Sequence, residues 1–169
     1  WIPFYFYLIY LYFNSVKLKP KSIFLFFVVI GLMILFTDQS SNLSKQYFQI
    51  LRPCHNEEIY GLIRVVKEGC GGLYGFFSAH SSNSFAIAGF FYFSLSNYSK
   101  WRKFLFLWAA IIAYSRIYCG VHFPSDVVVG GTYGLASGYL AFIFYSYLLK
   151  NQSFLSLSLI HISEPTRQP

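Results

Sequence analysis

Long apolar runs separated by short basic clusters are the feature that most restricts how this chain can fold. Five such runs are present, and they cover Trp1–Val16, Ser22–Thr37, Phe76–Ser96, Phe104–Tyr118 and Phe123–Leu149. A helix needs about 20 apolar residues to cross a bilayer, so the second and fourth runs span it only if their polar flanks extend the helix. Because a chain of 169 residues is too small to bury five apolar helices in a water-soluble core, we predict an all-α, polytopic transmembrane helix bundle.

The composition agrees with a membrane protein and argues against a nucleic-acid partner. Hydrophobic residues make up 56% of the chain, aromatic residues 22% and charged residues only 11%, whereas charged residues are about a quarter of an average soluble domain. The net charge of +7 is divided among short loops between the apolar runs, which is typical of loops that flank membrane spans. We therefore expect the bilayer as a partner and no nucleic acid.

The distribution of charge between successive loops predicts the orientation in the membrane. One side of the bundle receives the basic residues Lys17, Lys19, Lys21, Lys100, Arg102, Lys103 and Lys150. The opposite side receives the acidic residues Asp38, Glu57, Glu58, Glu68 and Asp126. Because Lys and Arg accumulate in short cytoplasmic loops, we predict that the segment Asp38–Gly75 faces away from the cytoplasm.

The last apolar run carries a stripe of glycines. Gly130, Gly134 and Gly138 follow one another at a spacing of four, which places them on one face of a helix. Small residues on one face let two membrane helices approach closely, so we predict that this face packs against another helix.

We expect the two ends of the chain to depart from the native protein. Residue 1 is a Trp already inside an apolar run, so we expect the native start to be missing. Leu157–Arg167 reads LSLIHISEPTR and resembles translated sequencing-adapter DNA, a natural polar tail being the alternative. We expect a membrane domain over residues 1–150 and a polar, partly non-native tail over residues 151–169.

Three groups of polar residues lie at the ends of the runs on the predicted outer side. They are Lys45 with Arg52-Pro53, then Ser78-Ala79-His80, and then Ser115-Arg116 with His122 and Asp126. Lys45 and Arg52 are separated by close to two helical turns, so both cations can point the same way. An ionisable side chain such as Arg116 in or near a span is costly and by default indicates function.

Each group also has a purely structural interpretation. Ser78 is suited to cap a helix, and Pro124 is suited to the first turn of one, where Asp126 would interact well with the helix dipole. A Lys–Arg pair near a span can simply contact headgroups. A carboxylate four residues after His122 can form a structural hydrogen bond, although the same contact fixes the tautomer and basicity of an imidazole.

Together the three groups resemble the signatures of the type 2 phosphatidic acid phosphatase family, which is related to haloperoxidases: K-x6-RP, PSGH and SR-x5-H-x3-D. The matching residues are Lys45, Arg52 and Pro53, then Ser78 and His80, and then Ser115, Arg116, His122 and Asp126. Phe77 and Ala79 stand where the second signature has Pro and Gly, a departure that bears on substrate fit. The resemblance covers residues 1–150 and implies six spans in the intact protein, one of them before Trp1.

For phosphate binding, the resemblance implies that the protein's own cations neutralise the substrate. These cations are Lys45, Arg52 and Arg116, and the planar guanidinium of arginine suits phosphate oxygens. Ser78 and the N–H of Ala79, at a helix N-terminus, would add donors. The resemblance implies no metal and no cofactor.

For catalysis, the resemblance implies a phosphohistidine intermediate. His122 would attack phosphorus in line, while Asp126 would hold the other ring nitrogen and stabilise the imidazolium. His80 would protonate the leaving oxygen and later activate water.

The resemblance also implies a lipid phosphate or diphosphate as substrate, and the charge distribution predicts that the active site lies on the extracytoplasmic face of what we expect to be a bacterial inner membrane. Undecaprenyl diphosphate is the first expectation, followed by phosphatidic acid and phosphatidylglycerol phosphate. The alternatives are a transporter with a phosphate-lined cavity and a catalytically inactive scaffold with a phosphate-binding site. Transporters often contain internal repeats, and none is visible in the sequence. The oligomeric state is left open.

All three cysteines, Cys54, Cys70 and Cys119, fall on or near the predicted outer face, an oxidising compartment in many bacteria. A Cys54–Cys70 disulfide would tie the first motif to the glycine-rich segment Gly69–Gly75 and would close a loop of about 15 residues, worth about 3 kcal/mol in the chain-entropy model. Three reduced cysteines are the alternative, and Cys119 near the same site leaves the pairing open. His55 is expected to be an ordinary loop residue.

Overall fold

Five α-helices make up most of the part of the chain that the computed structural model describes, which is residues 2–16, 20–63, 65–66, 70–95 and 100–163. The helices are α1 (Ile2–Val16), α2 (Pro20–Phe48), α3 (Ala79–Ser94), α4 (Phe104–Tyr118) and α5 (Pro124–Ser163). Short 3-10 turns cover Pro53–His55, Tyr60–Leu62 and Lys100–Lys103. The described residues contain no strand, only an isolated bridge between Leu51 and Tyr74. The all-α prediction is therefore confirmed.

Two of the five helices are long and apolar enough to cross a membrane. They are α2 and the part of α5 that ends at Asn151. The helices α1 and α4 have 15 residues each and α3 has 16, slightly fewer than the roughly 17–25 residues of a full crossing. The polytopic arrangement of five spans remains a prediction.

The second helix continues well beyond the apolar run that predicted it. The run ends at Thr37, but the polar segment after it stays helical and carries Lys45. Two tertiary hydrogen bonds hold the helix where the run ends: Thr37 Oγ1 donates to Asn83 Oδ1 over 2.6 Å, and Ser41 Oγ donates to the carbonyl of Phe77 over 2.8 Å. The predicted outer segment therefore begins with a helix rather than with a loop.

Aromatic rings form the centre of the helix bundle. Phe26 of α2 and Phe90 of α3 are completely buried, and Tyr12 of α1 stacks on Phe26 with 4.8 Å between ring centroids. Tyr145 of α5 closes the cluster, with its ring centroid 6.1 Å from that of Phe26. Because burial of such a side chain stabilises by about 1.5–3 kcal/mol, this cluster is a principal source of contact between four helices.

The predicted glycine stripe of α5 packs against α3, which confirms that prediction. A Cβ atom on Gly130 would lie 2.6 Å from the carbonyl oxygen of Ser78. The corresponding atoms on Gly134 and Gly138 would overlap the carbonyl oxygens of Ser82 and Ala86. The backbones of the two helices therefore touch along three successive turns, and a side chain at any of these glycines would force them apart.

The outer surface of the bundle is strongly apolar. Exposed large side chains include Phe24, Leu32 and Leu35 on α2, with Ile111 on α4 and Leu140 on α5. Soluble monomers rarely expose apolar patches larger than a few hundred Å². This surface supports the placement of the bundle in a bilayer.

Candidate active site

A cavity of about 450 Å³ opens at one end of the bundle, where α2 and α4 end and where α3 and α5 begin. Six residues singled out from the sequence line it: Lys45, Arg52, Ala79, His80, Arg116 and His122. The structure therefore brings residues of all three motifs around one space, although they are spread over almost eighty positions of the chain. Cys70, Gly71, Cys119 and Val121 complete the lining.

His122 and Asp126 form a buried pair in which one side chain faces the cavity and the other lies behind it. His122 Nδ1 is 3.2 Å from Asp126 Oδ2, and the two side chains are only 4% and 1% exposed. With Nδ1–H donating to the carboxylate, the lone pair is on Nε2. His122 lines the cavity and Asp126 does not, which is the arrangement of a nucleophile and the group that orients it.

The same carboxylate also begins α5. The N–H of Phe123 donates to Asp126 Oδ2 over 3.0 Å, and Pro124 is the first residue of the helix. One oxygen therefore contacts both the helix start and the imidazole, which is the geometry that the structural and the functional interpretations of Asp126 each require. The backbone N–H of Ser78 donates to the Asp126 carbonyl over 3.0 Å, which fixes α3 against this helix start.

The surroundings of His122 favour the neutral form of its imidazole. Burial lowers the pKa of its imidazole, and the positive charges of Arg52 and Lys45 act in the same direction. The hydrogen bond and the negative charge of Asp126 oppose these effects, but the pKa still lies below its ordinary value of about 6.5. A neutral imidazole near neutral pH keeps the Nε2 lone pair that nucleophilic attack requires.

Arg52 is held from behind by backbone carbonyls. Its Nε donates to the carbonyl of Tyr74 over 3.2 Å, and its Nη1 donates to the carbonyl of Cys70 over 3.1 Å. Since a guanidinium has five N–H donors, these two bonds orient the group and leave other donors for an anion in the cavity.

Arg116 and Lys45 provide the two other cations. Arg116 Nε and Nη2 both lie 3.1 Å from Ser115 Oγ, which itself donates to the carbonyl of Ile112 over 2.6 Å. Ser115 of the third motif thus orients the arginine beside it. Lys45 reaches the cavity from the polar extension of α2 and lies close enough to Arg52 for their charges to repel. Bound phosphate would relieve that repulsion.

The second motif divides between the cavity and the helix start. Ala79 and His80 line the cavity, and Ala79 is the first residue of α3. Ser78 is fully buried, and its hydroxyl accepts the N–H of Ser81 over 3.4 Å as the N-cap of the helix. For Ser78 the geometry therefore favours the capping interpretation, while Ala79 stands at the N-terminus where an anion is readily held.

Gly75 belongs to the site although no motif includes it. A Cβ atom there would lie 3.1 Å from Asp126 Oδ2, 3.2 Å from Arg52 Cγ and 3.6 Å from His122 Nδ1. Its N–H donates to the carbonyl of Ile50 over 2.9 Å. The sequence signal was the glycine-rich segment before the second motif, which does not by itself indicate which glycine is packed against the site.

Cys54 and Cys70 are joined by a disulfide, with 6.1 Å between their Cα atoms. Cys119 is free and lines the cavity. His55 lies beside the disulfide, and one nitrogen of its ring and the two sulfur atoms are within 4.8 Å of one another. These three side chains would be suitable metal ligands only if both thiols were reduced, because the ligand form of cysteine is the thiolate.

Comparison with known proteins identifies a family and two relatives that this chain resembles in sequence. The family model described as "PAP2 superfamily" matches residues 23–150. The chain is 34% identical over 136 residues to a lipid A 4'-phosphatase of Porphyromonas gingivalis, which covers 76% of this chain and 55% of the relative. It is 34% identical over 143 residues to a lipid A 4'-phosphatase of Bacteroides thetaiotaomicron, which covers 83% of this chain and 62% of the relative. The chain thus matches less than two thirds of the length of either relative, and no solved structure matches it.

Proposed function

Because the chain belongs to the PAP2 superfamily, we propose that it is an integral membrane phosphatase that removes phosphate from a lipid headgroup. The observation that carries this proposal is the buried His122–Asp126 pair, 3.2 Å apart, at a cavity that three cationic side chains also line. A nucleophile oriented by a carboxylate and surrounded by cations fits attack on a phosphate ester.

In the first step, His122 Nε2 attacks phosphorus in line with the ester oxygen of the substrate. The N–P bond forms as the P–O bond to the lipid breaks, and His80 donates a proton to the leaving oxygen. Asp126 stabilises the positive imidazole ring through Nδ1–H. In the second step, His80 takes a proton from water, whose oxygen attacks phosphorus, and the N–P bond breaks to release inorganic phosphate and neutral His122.

Charge stabilisation in both steps comes from the protein itself. Lys45, Arg52 and Arg116 surround the transferred phosphoryl group and neutralise the charge that its oxygens carry in the transition state. The N-terminus of α3 at Ala79 adds the dipole of a helix. We therefore propose a reaction that needs no metal and no cofactor.

A phosphate monoester on a glycolipid is the substrate class that we propose first. Both relatives are named lipid A 4'-phosphatase, which favours this class over undecaprenyl diphosphate. Phosphatidic acid and undecaprenyl diphosphate are the comparison substrates, because the same cations would bind their phosphate groups. The apolar helix surfaces and the basic turn Lys100–Lys103, at the end of the bundle away from the cavity, support a bilayer placement with the site on the extracytoplasmic face.

Release of inorganic phosphate in detergent micelles tests the proposal. The purified chain should release phosphate from lipid A more rapidly than from phosphatidic acid or undecaprenyl diphosphate, and His122→Ala should release none. Release of phosphate would contradict the transporter and the inactive scaffold, because neither of them hydrolyses a phosphate ester. Absence of phosphate release from all three lipids, by protein whose helix content is intact, would overturn the proposal.

A further inference from the structure

We propose that Cys54, Cys70 and Gly75 are positioning residues. The disulfide and the glycine hold the backbone of residues 70–75 in place, and this backbone in turn holds Arg52 against the substrate phosphate. This inference rests on the proposed function for its effect on catalysis. Its structural basis is the segment Cys70–Gly75, called here the strap.

The strap supplies both acceptors that orient the Arg52 guanidinium. The carbonyl of Cys70 accepts from Nη1 over 3.1 Å, and that of Tyr74 accepts from Nε over 3.2 Å. The backbone N–H of Arg52 donates to a third strap carbonyl, that of Leu73, over 3.0 Å. Since these acceptors are backbone atoms, the position of the guanidinium follows the position of the strap.

The strap is anchored at both of its ends. At one end, Gly75 donates to the carbonyl of Ile50 over 2.9 Å and is packed against Asp126. At the other end, Cys70 is covalently bonded to Cys54, which follows Arg52 by only two positions. The disulfide thus joins the residue whose carbonyl holds Arg52 to the turn that begins immediately after Arg52.

Gly71 shows how closely the strap follows the arginine. It adopts a φ of 77°, a conformation that favours glycine, and a Cβ atom there would lie 3.3 Å from Arg52 Nη1. The strap therefore turns directly over the guanidinium, next to the disulfide. A disulfide placed only to stabilise the outer segment would not require this contact.

Chemical modification of arginine tests the positioning without any measurement of activity. Phenylglyoxal reacts with guanidinium groups, and peptide mass spectrometry gives the rate at each arginine. In Cys54→Ala/Cys70→Ala, and in the unchanged chain after dithiothreitol has converted the disulfide to two thiols, Arg52 should react several-fold faster. Arg102 lies at the opposite end of the bundle, where its Nη1 donates a hydrogen bond to the carbonyl of Tyr92, and it should react at an unchanged rate. Equal rates at Arg52 with and without the disulfide would overturn the proposal.

Kinetics on a lipid phosphate then show whether the disulfide acts through the arginine. Because hydrogen bonds to a charged group are among the stronger ones, loss of the disulfide should raise KM by about tenfold with a smaller change in kcat. In an Arg52→Ala background the same loss should leave KM unchanged. An equal rise in both backgrounds would mean that the disulfide only stabilises the fold, and would contradict the proposal.

The two experiments separate the failure of the positioning role from the failure of the proposed function. If the chain releases no phosphate, the function fails, whereas the phenylglyoxal rates still decide the position of Arg52. For Gly75→Ala, which disturbs the other anchor of the strap, Gly61→Ala is the matched control, because Gly61 lies in the same outer segment and has nothing within 4 Å of an added Cβ atom. It should change neither the rate of Arg52 modification nor KM.

Discussion

Asp126 Oδ2 lies 3.2 Å from His122 Nδ1 and accepts the N–H of Phe123 at the same time. The backbone at the start of α5 therefore holds the Asp126 carboxylate in the position from which it orients the imidazole. One oxygen thus accepts from the backbone at the helix start and favours the tautomer of His122 that carries its proton on Nδ1.

Asp126→Asn should reduce phosphate release by roughly 10²–10⁴-fold while α5 stays folded. The amide can still accept the N–H of Phe123, but it no longer carries the charge that stabilises the imidazolium, and it can present a donor to Nδ1. Steady-state kinetics with helix content measured by circular dichroism checks this result. Activity within threefold of the unchanged chain would show that Asp126 serves only the helix start.

Turnover should pass through an acid-labile phosphoenzyme, and it should continue in the presence of a chelator. His122→Ala should lose labelling from ³²P-lipid entirely, because it lacks the attacking nitrogen. His80→Ala should still accumulate the adduct and should release it slowly, since it lacks the base that activates water. Labelling of His122→Ala, or activity that only a divalent ion restores, would contradict the assigned roles.

Phosphoenzyme formation should persist below pH 6.5, because the pKa of His122 is lowered by burial and by the charges of Arg52 and Lys45. His122 attacks only in its neutral form, so a lowered pKa moves the acid limb of the kcat/KM profile to lower pH. Arg52→Ala removes a positive charge that lowers this pKa and should move the limb toward higher pH. The measurement is the rate of labelling against pH, and a limb that moves the opposite way in Arg52→Ala would contradict it.

Gly75→Ala should lower kcat/KM by about tenfold or more, because displacement of catalytic groups by a fraction of an ångström is costly. The added methyl group would meet Asp126 and Arg52 at 3.1 and 3.2 Å. Gly61→Ala should leave kcat/KM unchanged. If the two variants have the same kcat/KM, Gly75 is not part of the site.

Labelling of intact cells tests the predicted orientation. In a Cys119→Ser background, a cysteine at Asn42 should react with a membrane-impermeant maleimide, whereas a cysteine at Lys100 should react only after lysis. Both positions are exposed on the bundle, so burial does not explain a difference. The reverse pattern would place the cavity on the cytoplasmic face.

The sequence predicted the convergence of the three motifs because charge and hydropathy alone define which helix ends share a side. It did not predict the end of α2, since hydropathy falls after Thr37 and the contacts made by the next turns, such as the hydrogen bond from Ser41 to the carbonyl of Phe77, are tertiary. Three of the charged residues from which the membrane orientation was predicted lie outside the described residues: Lys17, Lys19 and Glu68.

Site residues were harder to predict when their role depends on packing. Ser78 matches a signature, yet its hydroxyl caps α3, and both uses require the same residue type at a helix start. Gly75 matches no signature, because its role is to leave room for Asp126 and Arg52. A sequence motif identifies the groups that react more readily than it identifies the glycines that leave room for them.

The contact between the glycine stripe of α5 and the backbone of α3 has a consequence for how substrate enters. His80 is at the start of α3 and His122 lies two residues before α5, and at three glycines of α5 the backbones of the two helices are in direct contact. We therefore expect the proposed acid and nucleophile to keep their positions relative to each other. We expect a lipid headgroup to be admitted by movement of the other walls of the cavity, which are built by α2 with Lys45, by the end of α4 with Arg116, and by Arg52 with the strap that holds it.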